Sequence, residues 1–423
     1  MTRLDKAVQI SDLQDLARKR LPTSLFNQLN HGSEDDVAYQ HNFDVLKKIK
    51  LIPRALVDVS KRDASVDLFG KTHRLPIVIS PTGITSWLSY RGELSLARAA
   101  LKAGIPFTLT STTATPMEEV LEVGGTQWYH AITWRDVEAS LAGVKRARDA
   151  GFEALFVTVG GHVPYNRPWD RRLKVKFPME RLKPGHLIDG MLHPSWALGT
   201  AARYLISERS LPQMVNTAIP KNLTAAERKA WFTKADFNDW EFFRQVRDLW
   251  PRTLILKGIM HPDDAVMGVD YGADGIVVGN QGGATNDSAP SPLEVLPGVV
   301  EALGGRTTVF VDSGFRRGSD ILKAIALGAD AVLLGRAVLY GLGAAGEAGA
   351  HHALSLLGEE VRRTMGMLGV RTVSELGRDH IMLPGDLAHL GTQHVPWKGG
   401  LDARPEGTEA ATRKPSNRIA ART

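Results

Sequence analysis

Short apolar runs punctuate the chain, and most of them break into a polar or glycine-bearing turn that opens a helix pattern. Pro76–Ser80, Pro106–Thr110, Gln127–Ile132, Ala154–Val159, Thr253–Lys257, Gly275–Gly279, Thr307–Asp312 and Ala331–Gly335 read as eight buried strands. Helix patterns follow at Glu93–Lys102, Met117–Glu122, Asp136–Ala150, from Asp263, near Leu293–Leu303 and at Ser319–Leu327. This alternation predicts an α/β fold, a parallel (β/α)8 TIM barrel, with a doubly wound open sheet as the alternative.

The rhythm sets the expected boundaries. Residues 1–75 read as a cap: helices at 10–20 (Ser11 as N-cap), at Phe26–Asn30 and on to about Lys48, then an extended Val57–Leu68 closing a hairpin near Gly70. The barrel spans 76–385. An interruption of about 160–239 follows the fourth strand and is too long for a simple loop. Within it, 185–215 mixes Trp196, Leu198, Tyr204, Leu205 and Ile206 with Arg203 and Arg209. That mixture suits a peripheral membrane contact, a lid or an oligomer contact. Residues 386–423 read as a basic, disordered tail.

Composition narrows the classes. Of 423 residues, 43% are apolar and 23% charged, which suits a globular protein with a sizeable core. The absence of cysteine excludes disulfides, thiolate metal sites and Cys nucleophiles. Much of the +6 net charge sits in the tail, whose basic residues could touch nucleic acid or anionic lipid; a solvated tail is the default, and no nucleic-acid partner is expected. Met1–Lys6 carries no secretory pattern, and no run approaches the ~18 apolar residues of a membrane span. The expected location is cytoplasmic, peripheral at the inner membrane face if the 185–215 segment binds lipid.

Ligands of such barrels sit where the strands end. The ends of strands 7 and 8 read Asp312-Ser313-Gly314-Phe315-Arg316 and Gly335-Arg336, glycine turns with arginines at helix starts that suit a phosphate. Lys257 closes strand 5, placed to neutralise an anionic ring, form a Schiff base or bind phosphate. Thr82, Thr110, His130, Thr158 and Asp312 offer hydrogen bonds to a planar heterocycle. The loop after strand 6, Gly279-Asn280-Gln281-Gly282-Gly283, carries amides and no proton-transfer group. No metal site is read.

The phrases LPTSLFNQL, LPIVISPTG, LKGIMHPDDA, VDSGFRRGSDILKAIALGADAVLLGRAVLYGL and GEAG resemble the FMN-dependent α-hydroxy-acid oxidase/dehydrogenase family over roughly residues 9–385. LHPSW and FNDWEFFRQVRDLW are similar to its mandelate-dehydrogenase type. The resemblance implies FMN held by Pro81, Thr82, Gly83, Thr110, His130, Thr158, Lys257 and Gly279, with Asp312, Ser313, Gly314, Arg316, Gly335 and Arg336 on the ribityl chain and phosphate. It implies that Lys257 lies by the flavin N1 and stabilises the reduced ring. It also implies a homo-oligomer, a tetramer.

The substrate positions depart from the family. Its loop SNHGGRQLD is here GNQGGATND, so Gln281 stands for the histidine base and Ala284 for the arginine that clamps a carboxylate. Gln28 and Ile132 stand for tyrosines, and Gly160 for the aspartate behind the histidine; Arg167 survives near the carboxylate. A glutamine cannot accept a proton at neutral pH. His130 stands where the family has glutamine. It either takes over proton transfer, with His162 as the other candidate, or hydrogen-bonds the flavin edge. Small residues at Thr112, Ile132, Gly160, Gly161 and Ala284 enlarge the pocket. Three functions fit: an FMN oxidoreductase for a larger amine, amino-acid-derived or natural-product substrate; a 2-hydroxy-acid oxidase/dehydrogenase using Arg167 and a relocated base; or a flavin binder without redox turnover.

Overall fold

Eight parallel strands close into a barrel in this computed structural model, which describes residues 4–161, 163, 165–173, 184–217, 224 and 239–383. The strands are β1 (Ile77–Ile79), β2 (Phe107–Thr110), β3 (Gln127–Ala131), β4 (Ala154–Thr158), β5 (Thr253–Ile259), β6 (Gly275–Val278), β7 (Thr308–Val311) and β8 (Ala331–Leu334). Each pairs with its sequence neighbours, and β8 closes on β1 through Leu333 and Val78. The open-sheet alternative is thereby excluded.

The strands are buried on both faces, so their sequences show no alternation, yet two separate clusters record it. Outward residues such as Ile77, Leu109, Leu155 and Leu256 join the large core beneath the helices. Val78, Trp128, Phe156, Ile255, Val277, Phe310 and Leu333 fill the barrel interior. Two residues further along each strand or its exit turn, the same inward face carries Ser80, His130, Thr158, Lys257, Gly279, Asp312 and Gly335. The polar site therefore lies one inward step beyond an apolar plug.

A hairpin, Val66–Leu68 with Lys71–His73, seals the opposite end, with the Phe69 ring 5.9 Å from Trp128 and 6.0 Å from Phe310. The extended segment expected from Val57 begins only at Val66; before it, Ser60 and Lys61 form a turn. His73 is buried with no partner for Nε2, and burial lowers its pKa from the ordinary 6.5. The unfolded chain then binds the proton that the folded one resists. Stability should be full above pH ~6.5 and fall as the pH drops below it. Urea midpoints should show this loss, and His73→Phe should flatten it; an unchanged slope would count against the assignment.

Helices α1 (Ile10–Arg20), α2 (Thr23–Asn30) and α3 (Val37–Lys48) precede the barrel. Ser11 is not the cap of α1: Gln9 holds that position, and the Asp12 carboxylate accepts the Val8 N–H at 2.9 Å. Helix α3 is locked onto the loop after β6. Asp287 caps its start, accepting from the backbone of Asp35 and Ala38 at 3.0 Å each. Asn42 and Asn280 exchange two amide hydrogen bonds. Within the interruption, helices run at Pro168–Arg172, Pro184–Met191 and from Pro194 through Ser207. No described helix is long and apolar enough to cross a membrane.

Candidate active site

The strand ends surround a cavity of about 460 Å³. Most residues singled out from the sequence line it, but Gly161, Asn280 and Gly283 do not, and two more stand apart. His162 lies outside the described residues. Gly279 is set behind the wall, where a Cβ would fall 2.2 Å from Asp312 Oδ1, so its missing side chain makes room for that carboxylate.

On the floor, Lys257 Nζ donates to Asp312 Oδ2, and both side chains are over nine-tenths buried. Asp312 Oδ1 accepts from Ser313 Oγ at 2.7 Å, and that oxygen accepts the Gly282 N–H at 2.9 Å. The lysine charge is thereby tied through β7 to the loop after β6. His130 bridges neighbouring strands: Nδ1 lies 2.9 Å from Thr110 Oγ1 and Nε2 2.7 Å from Thr158 Oγ1. A neutral imidazole here donates at one nitrogen and accepts at the other.

At the turns after β7 and β8, Arg316 donates to the Phe315 carbonyl at 2.9 Å. Arg336 donates to the carbonyls of Gly282 at 2.7 Å and His31 at 3.0 Å. Burial lowers the Arg336 pKa, and the charges of Arg316 and Arg167 push the same way. These cations face one cavity in which Asp312, the one carboxylate among the described lining residues, already has Lys257 as its partner. An anion between them relieves the repulsion, and two turns that open helices add backbone N–H groups. The donor set fits the phosphate, polyol and flat ring of FMN.

The remaining wall differs. Gln281, at φ 54°, donates from Nε2 to the Gly160 carbonyl at 3.0 Å. Arg167 donates to Gln28 Oε1 at 2.9 Å and to the Gln28 and His31 carbonyls, and its Nε lies 3.5 Å from Asp170 Oδ2. Gln28 Nε2 in turn donates to Asp170 Oδ1. The surviving arginine and the glutamine thus engage each other and a carboxylate, which matches the arginine's charge. Trp87, Trp134, Tyr165 and Met214 complete the wall and were not singled out from the sequence. Met214 comes from within the interruption, held down by buried Asn216, which accepts the Met117 N–H at 2.9 Å and donates to the Thr115 carbonyl at 2.7 Å. Only the apolar character of these residues was legible; nothing in their spacing aims them at the cavity.

A profile of the family described as FMN-dependent dehydrogenase matches residues 17–383. (S)-Mandelate dehydrogenase of Pseudomonas putida is 37% identical over 395 residues, covering 92% of this chain and 98% of that protein. A putative L-lactate dehydrogenase of Mycobacterium tuberculosis is 37% identical over 399 residues, 92% of each. Among solved structures, that of a monotopic membrane protein, (S)-mandelate dehydrogenase, matches with TM-score 0.82 and 37% identity over 90% of this chain and 100% of the other.

Proposed function

This chain belongs to the FMN-dependent dehydrogenase family, and on that premise we propose that it oxidises a neutral or amine-bearing substrate larger than a simple 2-hydroxy acid. It is an FMN-dependent oxidoreductase, and FMN supplies the two-electron acceptor. Asp312–Arg316, Gly335 and Arg336 would hold the phosphate and polyol; Pro81, Thr82, Gly83, Thr110, His130, Thr158 and Lys257 would surround the ring.

One observation carries the substrate reading: among the described residues, apart from the arginines assigned to the phosphate and the paired Lys257, the wall offers no uncommitted cation for a carboxylate. Ala284 has no charge, and Arg167 is engaged by Gln28 and Asp170. A bidentate arginine is the usual recognition of a small carboxylate. Trp87, Trp134 and Tyr165 instead favour an aromatic body, and Gln28 and Gln281 offer amides to its polar groups. Proton removal falls to His130, whose acceptor nitrogen receives a proton through the Thr158 or Thr110 hydroxyl.

The oxidised holoprotein, mixed without oxygen with (S)-mandelate, L-lactate and a panel of aromatic amines and neutral aryl alcohols, separates the readings. Loss of the flavin's visible absorbance is the readout. Mandelate and lactate should bleach it at least ~10²-fold more slowly than the best panel member, the scale of a lost charge-assisted clamp on the carboxylate. Rapid bleaching by either acid would favour 2-hydroxy-acid oxidation with Arg167 released from Gln28. With the active panel member, His130→Asn should slow bleaching by ~10²–10⁴-fold while FMN stays bound. Unchanged bleaching would leave His130 as a hydrogen-bond partner of the ring.

The segment 184–207 exposes Leu187, Ile188, Met191, Leu192, Leu198 and Ile206. We propose that it rests on the inner face of the cytoplasmic membrane, with Arg203 and Arg209 toward anionic headgroups. Co-sedimentation with phosphatidylglycerol vesicles should be lost in Leu192→Glu/Ile206→Glu; retention would overturn the placement of this face on the membrane.

A further inference from the structure

Arg316 and Arg336, in the turns after β7 and β8, rest on aromatic rings, two of which come from α3, outside the barrel. Arg336 Cζ lies 4.8 Å from the centre of the Tyr39 ring. Arg316 Cζ lies 5.2 Å from the Phe43 ring and 5.5 Å from that of Tyr340. Tyr39 and Phe43 are one turn apart on α3, so their side chains share a face, and they meet edge to face at 5.0 Å. Helix α3 also touches the β7 turn directly: a Cβ on Gly314 would meet the Asn42 carbonyl and Cβ at 3.1 Å each.

We propose that Tyr39 and Phe43 are positioning residues for the cofactor phosphate, each presenting a ring face on which one guanidinium is held. A guanidinium over a ring keeps its N–H groups available at its edge. Each terminal nitrogen of Arg336 gives one N–H to a carbonyl and retains a second. The rings therefore limit the rotamers of two long, flexible side chains without consuming the donors that a phosphate needs. They also attract two like charges that would otherwise swing apart. The arrangement is independent of the substrate and rests only on FMN membership of the site.

The test is titration of full-length apoprotein with FMN and, separately, with riboflavin, which has the same ring and no phosphate, following flavin fluorescence. Tyr39→Leu and Phe43→Leu should each weaken FMN binding about tenfold, with riboflavin affinity changed less than about twofold. Tyr39→Phe and Phe43→Tyr, which keep the ring face, should restore FMN affinity to within about twofold. Parallel losses for both flavins would show general packing and overturn the proposal, as would unchanged FMN affinity in the leucine variants. Failure of the substrate reading leaves this ratio untouched, because neither flavin titration involves substrate.

Discussion

Lys257→Met should destabilise the protein by about 3–5 kcal/mol, the scale for breaking a buried ion pair from one side. Asp312 loses its one cationic partner in the barrel interior and keeps a desolvated charge. Its remaining donor is the Ser313 hydroxyl. The pair itself is not expected to be worth that much, because both ions are dehydrated on folding. The comparison that reveals this is the double variant Lys257→Met/Asp312→Asn. It removes both charges and should recover about 2 kcal/mol of the loss in urea unfolding. Simple additivity of the two single substitutions would mean that the charges do not interact.

Gly283→Ala should cost about 3 kcal/mol. The residue sits at φ 72°, and an added Cβ would lie 2.4 Å from the Tyr39 backbone nitrogen. Left-handed backbone costs an alanine about 1 kcal/mol, and forced overpacking about 1–3 more. Neither neighbour can yield, since the obstacle is a helix backbone and the loop is tied down by Ser33, whose N–H donates to the Gly283 carbonyl at 2.9 Å. Gly282→Ala is the control. Its φ is 70°, and its Cβ would meet Arg336 Nη1 at 2.4 Å, a side-chain tip held by two carbonyls rather than a helix backbone, so it should lose the backbone part and a smaller share for displacing that tip. Equal melting temperatures for the two variants would refute the interlock.

The strands were legible because each is a short apolar run closed by a turn, and their order followed from the helices between them. Which residues point inward was not: with both faces buried, Ile77 and Val78 look alike. The polar step at Thr158, Lys257 and Asp312 could be placed because a charge or hydroxyl ends each run. Gln281 and Ala284 were legible against the family loop and fall on the cavity wall. The partners of Arg167 were not: Gln28 lies far along the chain and meets it only once α2 packs on the loop after β4, and Asp170, three residues on, carries no pattern that pairs it with the arginine. His130 shows the same limit, since its two hydroxyl partners sit on different strands. Helix α3 reads as an ordinary surface helix, and nothing in its sequence announces that Asn42 pairs with Asn280.

The cap that starts α3 comes from Asp287, about 250 residues further along the chain. During synthesis that helix leaves the ribosome early and waits, its first turn uncapped, until six barrel strands and the loop beyond them have followed. Closing so long a span is entropically late, and it concentrates non-local contacts at one seam. The seam that completes the cofactor site is thus among the last to form, so the nascent chain cannot hold FMN before its barrel is nearly whole.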